Sequence, residues 1–164
     1  QRMNAEARKI IAQLGLEPLP LEGGWFRRTR VSAVTLDNGR SAESAIYFLV
    51  TAVDFSALHR LKIDEVWYFH AGDALEHVIL DPRDGSMRVT RLGAAVCASE
   101  VPQLAVARGV WQGARLAAGS TVGWTLLSCT TSPAWEDTDF ELGERDELKK
   151  AFPAARDQID RLTR

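Results

Sequence analysis

The side chains of this sequence best suited to proton transfer or metal binding are its histidines. The chain has three: His59, His70 and His77. His59 and Glu65 alternate along one segment that continues to Trp67 and Phe69, so an unbroken strand would place all four on one face. A carboxylate among large aromatic side chains is costly to bury without a partner. We therefore expect Glu65 to face a ligand cavity or a specific cation, the alternative being a salt bridge to Arg or Lys across the sheet.

The other histidines and the cysteines carry weaker signals. His77 lies on a segment with an exposed-looking pattern, and His70 precedes a turn at 71–73, so we expect neither to bind a ligand. Cys97 and Cys129 are too few for a disulfide framework and are not at metal-binding spacing. We expect each to be a small buried hydrophobic residue in a reducing compartment, with one disulfide between them as the alternative.

The composition is that of an ordinary soluble domain. The 164 residues, 46% apolar and 26% charged, suit one domain spanning 1–164. The net charge is −2 and the charges are interspersed, so the chain lacks the basic patch that nucleic acid or anionic lipid would need. No apolar run is long enough to cross a membrane, and no charged-then-apolar leader opens the chain. We expect a cytoplasmic protein with no nucleic-acid or membrane partner.

Hydrophobic periodicity predicts a β domain with helical ends that would position these side chains. Asn4 to Leu14 is helical in spacing, with Asn4 as N-cap and Gly15 after the last turn. Residues 144–162 are also helical in pattern, interrupted at Pro153. About eight short strands lie between them at regular spacing, which favours a sandwich or barrel. The predicted strands include 44–50, 64–70, 74–80, 86–92, 101–107, 111–116 and 121–129. The segment 81–85 predicts a tight hairpin turn.

Two motifs and six short segments of the sequence match the pattern of a known family. His59 to Glu65, followed by Gly72, fits the first cupin motif, and Ala107 to Gln112 fits the second, with Ala107 where proline is usual. The segments are Gly23-Gly-Trp-Phe26, Ala45-Ile-Tyr-Phe-Leu49, Ser56-Ala-Leu-His-Arg60, Asp64-Glu-Val-Trp67, Gly109-Val-Trp-Gln112 and Asp139-Phe-Glu-Leu142. Together they resemble the DUF985 (Cupin_5) family of the cupin superfamily, over residues 8–153.

This resemblance implies an all-β cupin jelly-roll barrel of two antiparallel sheets around a cavity, with short terminal helices and a barrel core at 23–132. It also implies a homodimer paired through the sheets. Metal-binding cupins use three histidines and one glutamate, whereas this chain has Leu61 and Gln112 at two of those positions. His59, Glu65 and Gln112 would therefore be weak ligands for a divalent metal such as manganese or magnesium, and we expect no tightly bound cofactor.

The chemistry that remains without a metal is proton transfer inside the cavity. His59 and Glu65 form a candidate dyad in which the carboxylate orients the imidazole as a base. Tyr47 is the candidate acid, because metal-free sugar epimerases that share the cupin barrel pair a His base with a Tyr acid. Gln112 could hold a substrate oxygen.

Other side chains are candidates for substrate binding. Arg28 and Arg60 could bind a carboxylate or phosphate, with a solvated surface position as the alternative for each. Trp67, Trp111 and Phe69 could form a flat apolar lining, although large aromatic residues also fill barrel cores.

Three functions fit these residues. The first is an isomerase, epimerase or lyase that acts on a small polar molecule by acid–base chemistry centred on His59. The second is a non-catalytic module that holds a sugar-like or nucleotide-like ligand in the same cavity. The third is a metal-dependent cupin enzyme with an incomplete ligand set. A barrel fold alone does not separate them.

Overall fold

Two antiparallel β-sheets pack face to face and enclose the interior of a barrel. The computed structural model describes residues 2–164. The strands are β1 (Glu17–Pro18), β2 (Trp25–Val31), β3 (Ser44–Thr51), β4 (Ser56–Leu61), β5 (Asp64–Gly72), β6 (Leu75–Asp81), β7 (Ser86–Leu92), β8 (Gln103–Val106), β9 (Trp111–Leu116), β10 (Trp124–Ser132) and β11 (Phe140–Leu142). The strand order is β1-β2-β3-β10-β5-β8 in the first sheet and β11-β4-β9-β6-β7 in the second. This architecture confirms the predicted all-β fold of two antiparallel sheets.

The N-terminal helix α1 (Ala5–Leu14) begins and ends where the sequence predicts. The side chain of Asn4 accepts hydrogen bonds from two backbone N–H groups of the first turn, at 2.7 and 3.2 Å, which satisfies donors that a helix start leaves free. Gly15 follows the helix in a left-handed conformation with a φ of 61°. The helix packs on the outer face of the first sheet, around Leu49 and Trp124.

Two short helices, α2 (Arg145–Ala151) and α3 (Arg156–Arg161), cover the outer face of the second sheet. Pro153 begins a 3-10 turn between them, because proline cannot continue the helical hydrogen bonding. This confirms the predicted interruption. We call the resulting apolar layer the helix-covered face. Its residues are Leu58, Val78, Leu80, Trp111, Leu148, Phe152, Ala155, Ile159 and Leu162.

Alternation along the strands decides which side chains enter the barrel. In β3, Ile46 and Phe48 point into the interior, whereas Tyr47 lies on the outer side with α1. In β6, His77 points inward and is fully buried, while its neighbours along the strand pack under α2 and α3. The prediction that His77 lies on an exposed strand is therefore wrong, because the helices cover the outer face of that strand.

The segment from His59 to Phe69 is not one unbroken strand. β4 ends at Leu61, β5 begins at Asp64, and the two strands belong to opposite sheets. His59 and Glu65 therefore reach the interior from opposite sheets and not from one face of a single strand. β11, which the sequence did not predict, pairs with β4 and extends the second sheet at this edge.

The predicted hairpin turn joins β6 to β7. The N–H of Gly85 donates to the carbonyl oxygen of Asp81 at 2.9 Å, and Gly85 has a φ of 72°, which a residue without a Cβ adopts freely. The strands then pair in register from Asp81 opposite Ser86 to Leu75 opposite Leu92. This hairpin fixes the inward position of β6 residues at the base of the interior.

Both cysteines are free thiols. Cys129 is buried inside the barrel, as predicted. Cys97 is exposed in a short 3-10 turn, so the prediction that it is buried is wrong. The turn leaves the apolar layers, and nothing covers this side chain.

None of the helices within residues 2–164 is long and apolar enough to cross a membrane. The cytoplasmic location, the homodimer and the lack of a nucleic-acid partner stay predictions.

Candidate functional site

A cavity of about 600 Å³ lies inside the barrel and opens to solvent. This volume is in the range of small-molecule sites. Most of its walls are apolar, and the larger wall side chains are Phe26, Ile46, Phe48, Trp67, Trp135 and Phe140. Its polar lining consists of Glu22, Arg28, Ser44, Glu65, Thr131 and Asp137. Arg28 and Asp137 are exposed, and so belong to the mouth, whereas Glu22 and Glu65 are buried at 7% exposure each. We call these two buried carboxyl groups the carboxyl floor.

Glu65 is held by two hydrogen bonds to a single oxygen. Its Oε1 accepts from Trp67 Nε1 at 2.9 Å and from Gln112 Nε2 at 3.0 Å. Its Oε2 has no hydrogen-bond partner among the side chains of residues 2–164, and Glu65 lines the cavity, from which this oxygen is reached. Burial raises the pKa of Glu65 to about 7, with repulsion from Glu22 adding to the rise and the charge of His59 opposing it. Both protonation states are therefore populated near neutral pH, and the proton of the neutral form belongs on Oε2.

The orientation of Gln112 follows from its neighbours. Trp67 Nε1 can only donate, and its one N–H is shared between Glu65 Oε1 and Gln112 Oε1, which lies 3.0 Å away and is thereby identified as an acceptor. His77 Nε2 lies 3.0 Å from the same oxygen and must carry the proton. His77 Nδ1 then has no partner, consistent with burial lowering the pKa of His77 to about 4 and keeping the ring neutral. This arrangement aims the Gln112 amide N–H at Glu65.

Glu22 enters the barrel from the loop between β1 and β2. Its Oε1 accepts a hydrogen bond from the buried Ser56 hydroxyl at 2.7 Å. The loop turns sharply just after Glu22, where Gly24 has a φ of 76° and a Cβ would lie 2.6 Å from the ring of Phe48. Only glycine fits this close approach. Glu22 was not predicted from the sequence, and the Gly23-Gly24 pair beside it was the available signal.

His59 lies behind the cavity wall. Its Nδ1 donates to the carbonyl oxygen of Ala57 at 2.7 Å, so Nε2 is the nitrogen free to take up a proton. Nε2 lies 3.9 Å from Glu22 Oε1, and the ring stacks on Phe140 with centroids 5.4 Å apart. His59 forms no hydrogen bond with Glu65. The predicted His59–Glu65 pair is therefore not hydrogen-bonded, although the two groups interact through charge, and the carboxylate within 4 Å of His59 belongs to Glu22.

Five other predicted site residues are absent from the cavity lining: Tyr47, Arg60, Phe69, Trp111 and Gln112. The prediction that Gln112 holds a substrate oxygen is wrong, because its Oε1 already accepts from Trp67 and His77 behind the wall. Tyr47 packs with α1 on the outer side of the first sheet, because β3 alternates and its neighbours Ile46 and Phe48 face inward. A role for Tyr47 as the acid in this cavity is therefore wrong.

Trp111 and Arg60 are a further correction. Trp111 belongs to the helix-covered face, and the Arg60 guanidinium stacks over its ring at 4.6 Å and pairs with Glu141 at 2.7 Å. Phe69 points inward but packs in the filled part of the barrel core, away from the cavity lining. None of these three can contact a molecule in the cavity.

The mouth of the cavity combines β2 with the loop after β10. Arg28 lines it from an exposed position and donates a hydrogen bond to the Trp135 carbonyl oxygen at 3.3 Å, and its role in binding a carboxylate or phosphate stays a prediction. Arg40 fixes the same loop through Asp139 at 2.7 Å and the Ala134 carbonyl oxygen at 2.6 Å. The loop therefore presents the Trp135 ring to the cavity from a held backbone.

Comparison with known proteins agrees with this architecture. The family described as cupin superfamily (DUF985) matches residues 8–143 of the chain. The chain belongs to the DUF985 family of cupins. The match covers the barrel and the loop that carries Trp135, so the cavity is built entirely from the shared region. Among proteins of curated function, none is significantly similar to this chain.

Solved structures of similar chains support the same assignment. A crystal structure of a Shewanella oneidensis protein is 34% identical, with a TM-score of 0.88 over 99% of this chain and 99% of that chain. A hypothetical protein from Leishmania major is also 34% identical, with a TM-score of 0.86 over 96% of this chain and 98% of that one.

Two enzymes resemble this DUF985 cupin at a distance. A dTDP sugar isomerase from Desulfovibrio desulfuricans has a TM-score of 0.55 at 17% identity, over 84% of this chain and 85% of that chain. Oxalate decarboxylase from Bacillus subtilis has a TM-score of 0.56 at 12% identity, over 90% of this chain and 37% of that chain. At these identities the likeness shows the shared fold alone, and the fold is compatible with more than one chemistry.

The donor set of this cupin does not fit the metal that the superfamily often holds. At two of the usual histidine positions it has Leu61, which offers no donor, and Gln112, whose oxygen already accepts from Trp67 and His77. Within residues 2–164, no group of three or more His, Cys, Asp or Glu side chains is arranged to hold a metal ion. Amide and single-imidazole donors are weak ligands for zinc or iron, so the residues at these positions do not fit such a metal.

Proposed function

We propose that this cupin catalyses proton transfer on a small molecule in the barrel cavity, as an isomerase, epimerase or lyase. The observation that carries the proposal is the carboxyl floor: Glu65 and Glu22 lie buried in one cavity, and the pKa of Glu65 is raised to about 7. Perturbed carboxyl groups of this kind are typical of general acids and bases.

Glu65 is the candidate acid. Two hydrogen bonds fix its Oε1, and its Oε2 is free to hold a proton toward the cavity. Because the pKa lies near neutral pH, Glu65 can give up this proton and regain it within one reaction cycle. Gln112 and Trp67 stabilise the carboxylate that remains, since both donate to it.

Glu22 is the candidate base, with His59 behind it. Ser56 fixes Glu22 Oε1, which leaves Oε2 without a hydrogen-bond partner within residues 2–164. His59 Nε2 lies 3.9 Å from Glu22 Oε1, on the side away from the cavity lining. His59 therefore keeps a role in the proposed chemistry, as a group that acts through Glu22.

Solvent hydrogen exchange tests the proposal without knowledge of the substrate. The protein would be incubated in D2O with a small-molecule extract of the expression host, and C–H deuteration would be followed by mass spectrometry. We expect at least one compound to gain a deuteron at a rate that Glu65→Gln lowers by about 100-fold or more, the usual weight of a general acid or base. The exposed variant Glu147→Gln is the control and should match the wild type.

A non-catalytic binding module is the second candidate, and the mostly apolar cavity walls favour it as much as they favour an enzyme. It predicts saturable binding of a compound from the same extract with no deuteration and no product. That outcome would overturn the proposed catalysis.

A further inference from the structure

The walls and the floor of the cavity offer a ligand different surroundings. The walls are largely apolar rings, whereas the carboxyl floor presents two acidic groups at depth. The wall hydroxyls are already engaged, since Ser44 and Thr131 share a hydrogen bond of 3.1 Å and Ser44 also accepts from the Trp135 N–H at 2.9 Å. A sugar, which needs polar partners around its whole ring, would find few on these walls. A flat ring with one polar end matches them better.

Each floor carboxyl group has one oxygen to spare. Glu65 Oε2 and Glu22 Oε2 have no hydrogen-bond donor within residues 2–164, although both residues are more than nine-tenths buried. No Arg or Lys of the described residues forms an ion pair with either group. Neither oxygen belongs to the fully buried unpartnered atoms, and both residues line the open cavity. Donors for these oxygens must therefore come from the cavity, from water or from the polar head of a bound molecule that displaces it.

We propose that the ligand is an apolar ring compound with a cationic or N–H-rich head, of the amidine, guanidine or amino-heterocycle class. The head lies on the carboxyl floor, where its N–H groups donate to Glu22 and to the ionised form of Glu65, and the ring lies between the aromatic walls. A cationic head favours that ionised form. The inference names the substrate class of the proposed enzyme and rests on that proposal for the turnover of such a compound, though not for its binding.

Three compounds of nearly the same shape separate head-group chemistry from ring burial. Benzamidine carries a cationic head with N–H donors, benzamide carries a neutral head, and benzoate carries an anionic head. We expect calorimetry to show benzamidine binding about tenfold or more tightly than either of the others, since charge-assisted hydrogen bonds are the stronger kind. Equal affinities, tighter binding of benzoate, or no binding of benzamidine would each overturn the proposal.

Variants of the floor locate the binding. Glu65→Gln and Glu22→Gln should each weaken benzamidine binding about tenfold or more while changing benzamide binding little. Glu147→Gln, on the exposed surface of α2, should leave both affinities unchanged. Two floor variants are used so that one misfolded protein, detected by circular dichroism, does not remove the test. Benzamidine affinity that survives in a folded floor variant would contradict the proposed position of the head.

The binding and exchange experiments fail separately. Selective benzamidine binding that depends on the floor, without deuteration of any compound, would uphold the ligand class and overturn the proposed catalysis. Deuteration that depends on Glu65, without selective benzamidine binding, would do the reverse.

Discussion

Trp111 and Gln112 are neighbours on β9, and their side chains enter two layers of different chemistry, one apolar and one polar. Trp111 joins the helix-covered face, where the buried side chains are apolar and pack against α2 and α3. Gln112 enters the interior, where it links Trp67, His77 and Glu65 in one buried polar network. The first layer needs only a hydrophobic pattern, whereas the second buries groups whose desolvation is costly.

The difference shows where stability and function are separated in this fold. The helix-covered face gains free energy from every apolar contact, so its residues should tolerate no loss of volume. The interior holds a carboxyl group that burial makes harder to ionise, which lowers stability at neutral pH and is of use to a reaction. Changes in the two layers should therefore have separable effects on unfolding and on ligand binding.

Truncating the apolar layer should give the largest change in stability. We expect Trp111→Ala to lower the free energy of unfolding by about 3–5 kcal/mol, because a large buried ring is replaced by a cavity. Urea denaturation measures the loss. The matched variant Trp135→Ala changes a half-buried ring at the mouth of the cavity. Compared with Trp111→Ala, it should weaken benzamidine binding more and lower the free energy of unfolding less. The reverse pattern would show that the two layers are not distinct.

Neutralising the interior carboxyl group should change the pH dependence of stability. Folding raises the pKa of Glu65 to about 7, so its contribution to stability is complete below the unfolded pKa and is lost as pH rises through the folded one. Between about pH 5 and pH 8 the wild type should therefore lose up to about 3 kcal/mol relative to Glu65→Gln. Parallel stability curves for the two proteins would contradict this.

Removing the support of Glu22 should have a smaller effect. Ser56→Ala deletes the donor to Glu22 Oε1, and we expect it to lower the free energy of unfolding by about 1–2 kcal/mol, because a buried acceptor loses its partner. Benzamidine affinity should fall in the same variant, as the Glu22 side chain becomes less fixed. An increase in affinity would show that Ser56 competes with the ligand for Glu22.

The smallest change is expected on the outer side of the first sheet. Tyr47→Phe removes a hydroxyl that lies outside the cavity, so deuteration should stay within about twofold and stability within about 0.5 kcal/mol of the wild type. A strong loss of deuteration would restore Tyr47 as an acid and would contradict the cavity described above.

Local sequence signals predicted element boundaries well at helix caps, at proline and at tight-turn glycine. Asn4 and Gly15 mark the start and the end of α1, Pro153 separates α2 from α3, and the hairpin turn forms at Gly85. The family resemblance brought Glu65 and Gln112 together, and the structure shows them hydrogen-bonded.

The errors have physical causes of their own. Alternation predicts two faces of a strand without saying which face is inside, so Tyr47 and Trp111 were assigned to the wrong layer. β6 is covered on both faces, so alternation of polar and apolar residues along the strand does not show that His77 points inward. Glu22 lies in a loop, where hydrophobic periodicity gives no information about side-chain direction. The one local signal was Gly24, because the close turn at that position requires glycine.

The state of the Glu65 carboxyl group tests the central claim most directly. In protein labelled with 13C at the glutamate carboxyl carbon, NMR titration follows each glutamate separately, and the Glu65→Gln variant identifies the signal by its loss. We expect this one signal to titrate with a pKa of about 7. A signal that titrates in the ordinary range of exposed glutamates would show that the interior carboxyl group is not tuned for proton transfer, and would contradict the proposal.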